Sequence, residues 1–216
     1  MCTGQQFLDV LNAAADAPVV CDVVEQLDDF VVFEVDSSGG AAKNEVVVRF
    51  SAASFDARGT MISVSSQHWR LPRARRVHRR ASAKHGVSMR DLQAHGFPAL
   101  EQLDVVDALL HDFHRRRVKV VSHDAKFTTR LLEQTAVAHM ANWKLPHLIF
   151  CLKTASRLIL NIRGMSSRTP RPPTATELYR YLHKRRPPAE LLENVPVSSM
   201  KLTALNFVAA RARGWV

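Results

Sequence analysis

Residues 30–40, FVVFEVDSSGG, decide the fold. Four apolar residues lead into two acids one residue apart, and the chain then turns polar and glycine-rich. β-Branched and aromatic residues, bounded by Asp28-Asp29 and by Ser37-Ser38-Gly39-Gly40, predict a strand over residues 30–36. Along a strand, residues two apart point to one face, so Glu34 and Asp36 project together at its end. Two carboxylates converging there offer the hard oxygen ligands that Mg²⁺ or Mn²⁺ takes. The same pattern arises wherever a strand end reaches solvent, so its meaning rests on the rest of the chain.

Working outward, residues 45–55 and 60–66 read as two further strands, joined by a turn at 56–59. Three strands in succession with short connections predict an antiparallel meander. Upstream, Phe7, Val10, Leu11, Val19, Val20, Val23, Val24 and Leu27 recur at three- and four-residue spacing, which predicts a helical extension over residues 1–27, broken or restarted at Pro18. The main domain is then 28–216. Residues 67–80 read as a basic loop containing Trp69 and Pro72. Residues 88–94 read as a short helix with Ser88 as N-cap and Gly96 as its stop. Leu103, Val106, Leu109, Leu110 and Phe113 share one face of a helix over 100–117. Short apolar strands at 118–122 and 148–151 alternate with helices at 126–141 and 154–162. A Pro/Ser/Arg linker at 166–173 precedes a helix over 176–183, capped by Thr174 or Thr176. Residues 187–196 read as irregular or one short helix, and 199–213 as a closing helix. The order β-β-β followed by α-β-α-β-α gives an α/β fold: a mixed sheet, antiparallel first and then parallel, flanked by helices.

The chain has 216 residues, 46% of them hydrophobic, which suits one α/β domain with a full-sized core. No apolar run is long enough to span a membrane. The first 17 residues carry Asp9 and Asp16 and neither Lys nor Arg, unlike a secretory or transit segment. Three scattered cysteines, Cys2, Cys21 and Cys151, lack metal-ligand spacing and suit a reducing, intracellular compartment. The net charge is +10 and the pI about 10.2, which favours polyanionic partners, nucleic acid first. The excess is localised. Residues 57–90 contain no acid but hold Arg58, Arg70, Arg73, Arg75, Arg76, Arg79, Arg80, Lys84 and Arg90. A second basic zone, 153–186, has Glu177 as its only acid. The residues expected on a nucleic-acid face are Arg70, Arg73, Arg75, Arg76, Arg79, Arg80, Lys126, Arg168 and Arg171. Trp69 is a base-stacking candidate or a core residue.

Three segments, VVFEVDSSGG, KHGVSMRDLQAHG and VKVVSHDAKFTTRLLEQ, follow one another in an order that resembles the DEDDh (DnaQ-like) 3′–5′ exonuclease family of the ribonuclease H-like fold. In that family the first strand carries D-x-E before a small polar turn. A middle segment reads H-G-[IV]-[ST] with a following D-L, and a second motif reads H-N-x-x-F-D-x-x-F-L. Here His85-Gly86-Val87-Ser88 and Asp91-Leu92 match the middle segment. His123, Phe127 and Leu132 match the frame of the second motif. CLKTASRLI stands where the family has D-T-L-x-L-A-R, and TELYRYLHKRRPP resembles its late helix. The resemblance runs from about residue 28 to the end of the chain. It implies a metal-dependent phosphodiesterase built from four carboxylates and one histidine.

Those five positions are only partly kept. Glu34 and Asp36 exchange the expected Asp and Glu. A longer side chain at the first position shifts the metal pair by about 1 Å, a displacement that costs on the order of 100-fold in rate. Thr128 stands at the third carboxylate. Asp124 is a nearby acid at the usual Asn, and also a natural helix N-cap. The closing H-x-x-x-x-D falls on VPVSSMKLTALNFVAARARGW, which has neither residue, and the chain has no Asp after Asp124. Glu190 or Glu193 is the nearest substitute. Loss of the general base removes a further factor of roughly 10² to 10⁴.

The sequence reading is therefore an exonuclease-fold protein that binds RNA or DNA, with impaired catalysis and either no cofactor or weakly held Mg²⁺ or Mn²⁺ on Glu34 and Asp36. One rival is a divergent active 3′–5′ exonuclease using Glu34, Asp36 and Asp124. Another is a structural subunit of a ribonucleoprotein or viral assembly, with a protein partner or a second copy of the chain. Among ten histidines, His111 and His114 lie three apart on a helix and could face one metal, although exposed helix positions explain them as well. His85 and His123 are expected at the edge of the site.

Overall fold

The computed structural model describes residues 30–39, 45–163 and 170–215. The helix expected over 7–27 lies outside the described residues, as does Arg168.

β1 (Phe30–Ser37) sits at the middle of a five-stranded sheet of order β3-β2-β1-β4-β5. β2 (Val47–Phe55) and β3 (Met61–His68) join it as an antiparallel meander, with Asp36 directly opposite Arg49. β4 (Lys119–Ser122) and β5 (Phe150–Cys151) add to the other side in parallel. The seven helices described are α1 (Arg79–His85), α2 (Met89–His95), α3 (Ala99–Arg115), α4 (Ala125–Ala138), α5 (Leu152–Leu160), α6 (Ala175–His183) and α7 (Pro196–Arg211). A two-stranded ribbon, β6 (Ile162–Arg163) with β7 (Pro170–Arg171), and a 3-10 turn at Ala189–Leu191 complete the set. None of these helices is long and apolar enough to cross a membrane.

The period of two along β1 builds two cores. Val31, Phe33 and Val35 face one layer, where Leu103, Val106 and Leu110 of α3 and Leu131 and Leu132 of α4 pack against them. Phe30 and Val32 face the other, where Leu178 and Leu182 of α6 and Met200, Ala204 and Phe207 of α7 close over them. Phe33 is 1% exposed; burying a side chain of that size is worth about 1.5–3 kcal/mol. Glu34 and Asp36 continue the α7 side.

Local signals set the helix ends. The Ser88 hydroxyl accepts from the Asp91 amide while the Asp91 carboxylate accepts from the Ser88 amide, a closed capping box at the start of α2. Thr174, rather than Thr176, caps α6 in the same way with Glu177. Other boundaries move by one to three residues from expectation; α7 starts at Pro196, inside its first turn, where a missing N–H costs nothing.

One expectation is corrected, and one left open is decided. The basic segment is not loop throughout: it becomes helical at Arg79, as α1. That helix is seven residues of RRASAKH with no apolar stripe, so periodicity is silent there. It is held from outside. Gly39 has φ +75°, and a Cβ there would stand 2.5 Å from the Ala81 Cβ, so glycine is what lets the end of β1 lie against α1. The His78 amide donates to the Ser38 carbonyl at 2.7 Å. Trp69 is wholly buried and stacks on Phe50, so it is a core residue and not a base platform.

Candidate functional site

β1 is the floor of the site. Beyond Val32 its α7-facing positions turn acidic, and a cavity of about 400 Å³ opens between β1, α4, α7 and the turn before α7. Glu34, Asp36 and Asp124 all line it, so the fold does bring the three expected acids to one place. Glu193 also lines the cavity, from an exposed position. Thr128 lines it without charge.

Each acid already has company. The Arg49 guanidinium, across the strand pair, donates from Nε to Asp36 Oδ2 at 2.7 Å. Both side chains are largely buried, 13% and 20% exposed, so this pair is shielded from solvent. Asp124 is the N-cap of α4, accepting from the Phe127 amide at 3.3 Å, and it is ion-paired with Lys153 in the first turn of α5. Among the described residues Glu34 makes no ion pair. Burial pushes its pKa up to about 7, opposed by a hydrogen bond from Ser199 of α7, with the neighbouring Asp36 charge adding to the rise. The Thr128 hydroxyl is buried against Ser122 Oγ at 3.1 Å.

The two expected edge histidines are in place. His85 Nδ1 accepts from the Val87 amide at 3.1 Å, which leaves Nε2–H to donate to the Ser37 carbonyl at 3.1 Å. That fixes its tautomer and ties α1 to the end of β1. His123 lines the cavity. Burial, and then the Lys153 charge, hold its pKa below the usual range.

Two divalent ions need several anionic oxygens free to ligate them. Asp36 and Asp124 are each committed to an internal cation, Glu34 is half protonated near neutral pH, and Thr128 is neutral. Among the described residues no three His, Cys, Asp or Glu side chains are gathered in a metal-holding group. The residues present do not fit a two-metal centre, which needs more free anionic oxygens than this set offers.

The histidine pair on α3 resolves differently. His147 joins it from a distant loop: His147 Nε2 lies 3.0 Å from His111 Nδ1, and its ring stacks on His114 at 4.0 Å and 9°. Lone pairs lie in the ring plane, so two parallel rings do not aim at one ion. The cluster is a hydrogen-bonded stack.

Along the basic arm, Arg70, Arg73, Arg76, Arg79 and Arg80 are exposed, Arg75 is half-buried, and Arg76 donates to the carbonyls of Arg73 and Arg75. Lys84, in the last turn of α1, carries this charge to the lining of the cavity. Lys126 is exposed on the first turn of α4. Arg171 is instead bound as a fork to Glu177, whose pKa falls to about 2 through that contact.

Sequence reading does not place Arg49, Lys84, Lys153 or Ser199 at the acids of the site; Lys84 and Lys153 enter it only as charges of the two basic zones. Arg49 leaves one trace, a lone charge in the otherwise apolar and small-residue strand VVRFSAASF.

Sheet order, the carboxylate-bearing central strand and the α7-covered pocket together give an α/β fold like that of the ribonuclease H-like exonucleases. Within that class the DEDDh nucleases are among the proteins it resembles. Over 87% of this chain and 93% of the other, it superposes on the nuclease domain of 3'hExo, a DEDDh family member bound to rAMP, with a TM-score of 0.62 and 7% identity. An exonuclease I structure matches with a TM-score of 0.63 and 11% identity over 86% of this chain and 41% of that one. A moderately thermophilic exonuclease I from Methylocaldum szegediense gives 0.56 and 11% over 86% and 40%. The chain thus spans about two-fifths of the exonuclease I proteins it matches. At these identities the likeness is one of fold. No family model matches the chain, and no curated protein matches it in sequence.

Proposed function

We propose that this protein binds nucleic acid on the exonuclease fold and does not hydrolyse it by the two-metal route. The observation that carries this reading is the pairing of Asp36 with Arg49 and of Asp124 with Lys153 inside the pocket. An acid held by an internal cation contributes little charge to a metal, and substitution of Thr128 at the third carboxylate leaves a neutral hydrogen bond in its place. Binding rests on the arginines of the acid-free segment, which present charge to phosphates without an exposed aromatic among them. Such contacts are strongly salt-dependent and indifferent to sequence.

The test is end-labelled single-stranded RNA and DNA incubated with Mg²⁺ or Mn²⁺, with binding and trimming followed in the same samples. A Glu34→Ala/Asp36→Ala double variant runs alongside. Binding by both proteins and trimming by neither is the expected result. Trimming by the wild type that the double variant lacks would show that the exchanged acids still hold metal.

A further inference from the structure

Residues 1–29 carry Asp9, Asp16, Asp22, Glu25, Asp28 and Asp29 and contain neither Lys nor Arg. The remaining residues hold all 30 basic side chains against 14 acids, a net +16. The chain is thus divided into a segment whose charged side chains are all acidic and a strongly basic body, and the join falls at the first residue of β1. We infer that residues 1–29 are an internal polyanion that occupies the basic arm and competes there with nucleic acid.

Three observations carry this, and it rests on the nucleic-acid reading above. First, complementarity: the arm lies in the acid-free stretch 57–90, and Arg70, Arg73, Arg79 and Arg80 stand exposed on it. No ion pair among the described residues involves any of them, whereas Arg115, Arg116 and Arg171, elsewhere on the surface, are paired with Asp112 and Glu177. The arm is therefore a face with uncompensated charge. Second, reach: β1 is eight residues long and its far end lies against α1. That is about 25 Å from Phe30, a span that roughly eight extended residues cover. The 29 residues before β1 exceed it several-fold. Third, tethering: a segment on the same chain faces the arm at an effective concentration in the millimolar range, enough to compete through contacts that are weak individually. Nearer the start of β1, Lys119 is engaged over the Phe150 and Phe207 rings, at 5.6 and 5.9 Å.

Removing acids raises the net charge wherever they lie, so the test holds that constant. In the full chain, Asp22→Asn/Glu25→Gln/Asp28→Asn is compared with Glu101→Gln/Asp104→Asn/Glu190→Gln, three exposed acids of the body. Affinity for a fluorescent single-stranded oligonucleotide is measured from about 50 to 500 mM salt, across the range where screening removes such contacts. At low salt the first variant is expected to bind at least fivefold tighter than the second, with the gap closing at high salt. Carbodiimide cross-linking of the wild type, mapped by mass spectrometry, should join acids of residues 1–29 to Lys84 at the end of α1, and added oligonucleotide should suppress that link. Equal affinities for the two variants, or a Lys84 link that oligonucleotide leaves unchanged, overturns the inference while leaving nucleic-acid binding intact. If no variant binds, the binding reading itself has failed.

Discussion

Glu34 offers a direct measurement of what the pocket does to a carboxylate. Burial raises its pKa from 4.5 to about 7. At about 1.4 kcal/mol per pH unit, that difference comes to roughly 3 kcal/mol between its protonated and ionised forms. The sign follows from proton counting. Between pH 4.5 and 7 the folded state holds a proton on Glu34 that the unfolded state has released, so Glu34 makes the fold less stable as pH rises, with the full cost present above pH 7. Glu34→Gln keeps the shape and removes the titration. Urea unfolding followed by circular dichroism at pH 5, 6, 7 and 8 gives the comparison. The two proteins should be nearly equal at pH 5, and the variant should be more stable by up to about 3 kcal/mol at pH 8. In a chain of this size that is a rise in Tm of about 6–12 °C. His68, His85, His123, His139 and His183 are all held below their usual pKa, with burial the leading cause, and they act in the opposite sense. They lose stability as pH falls below 6.5, so the glutamine variant should gain stability from pH 5 to 7 without the opposing slope. Because the histidines are common to both proteins, they cancel in the difference. A difference that stays constant with pH, or a variant less stable at pH 8, would refute the assignment of a buried, half-protonated carboxyl.

The Arg49–Asp36 pair should behave as a unit: Arg49→Ala strands a largely buried carboxylate and is expected to cost about 2 kcal/mol or more, and adding Asp36→Ala should recover part of it. A double-mutant cycle by urea unfolding measures the coupling, and strict additivity would remove the pair from the account. Gly39→Ala places a methyl against Ala81 at a positive φ, so it should destabilise by about 1–3 kcal/mol and weaken oligonucleotide binding by loosening α1. Wild-type stability and affinity would rule out that anchoring. Replacing Arg73, Arg76, Arg79 and Arg80 by Ala should flatten the salt dependence of single-strand binding, the log–log slope falling by about 0.7 for each lost phosphate contact. An unchanged slope would place the nucleic acid elsewhere.

What could be read in the sequence, and what could not, divides by distance along the chain. β1 was legible because its β-branched run and its polar stop are adjacent. The stripe of α3 was legible because Leu103, Val106 and Leu110 repeat within two turns. The convergence of Glu34 and Asp36 follows from strand geometry alone. Their partners do not. Arg49 meets Asp36 only through the register of the β1–β2 pair, which depends on the connection between the strands. Lys153 reaches Asp124 across 29 residues, and Ser199 reaches Glu34 from the last helix. His147 finds His111 across 36 residues. The short helix α1 was hidden for another reason: its sequence has no apolar period, and it is held against Gly39 and, through its own His85, to the Ser37 carbonyl rather than by its own propensity. The acids of the site were therefore visible before their counter-ions, and an open metal-binding set was the natural expectation.

β1 serves both cores at once, with Phe33 on one side and Phe30 on the other. Neither half can shed its packing without dragging the shared strand out of register with the second. The two clusters should then melt as one cooperative unit, with no half-folded species between. In native-state hydrogen exchange the β1 amides should open only with the whole molecule, while α1, pinned at one face, exchanges through smaller and cheaper fluctuations.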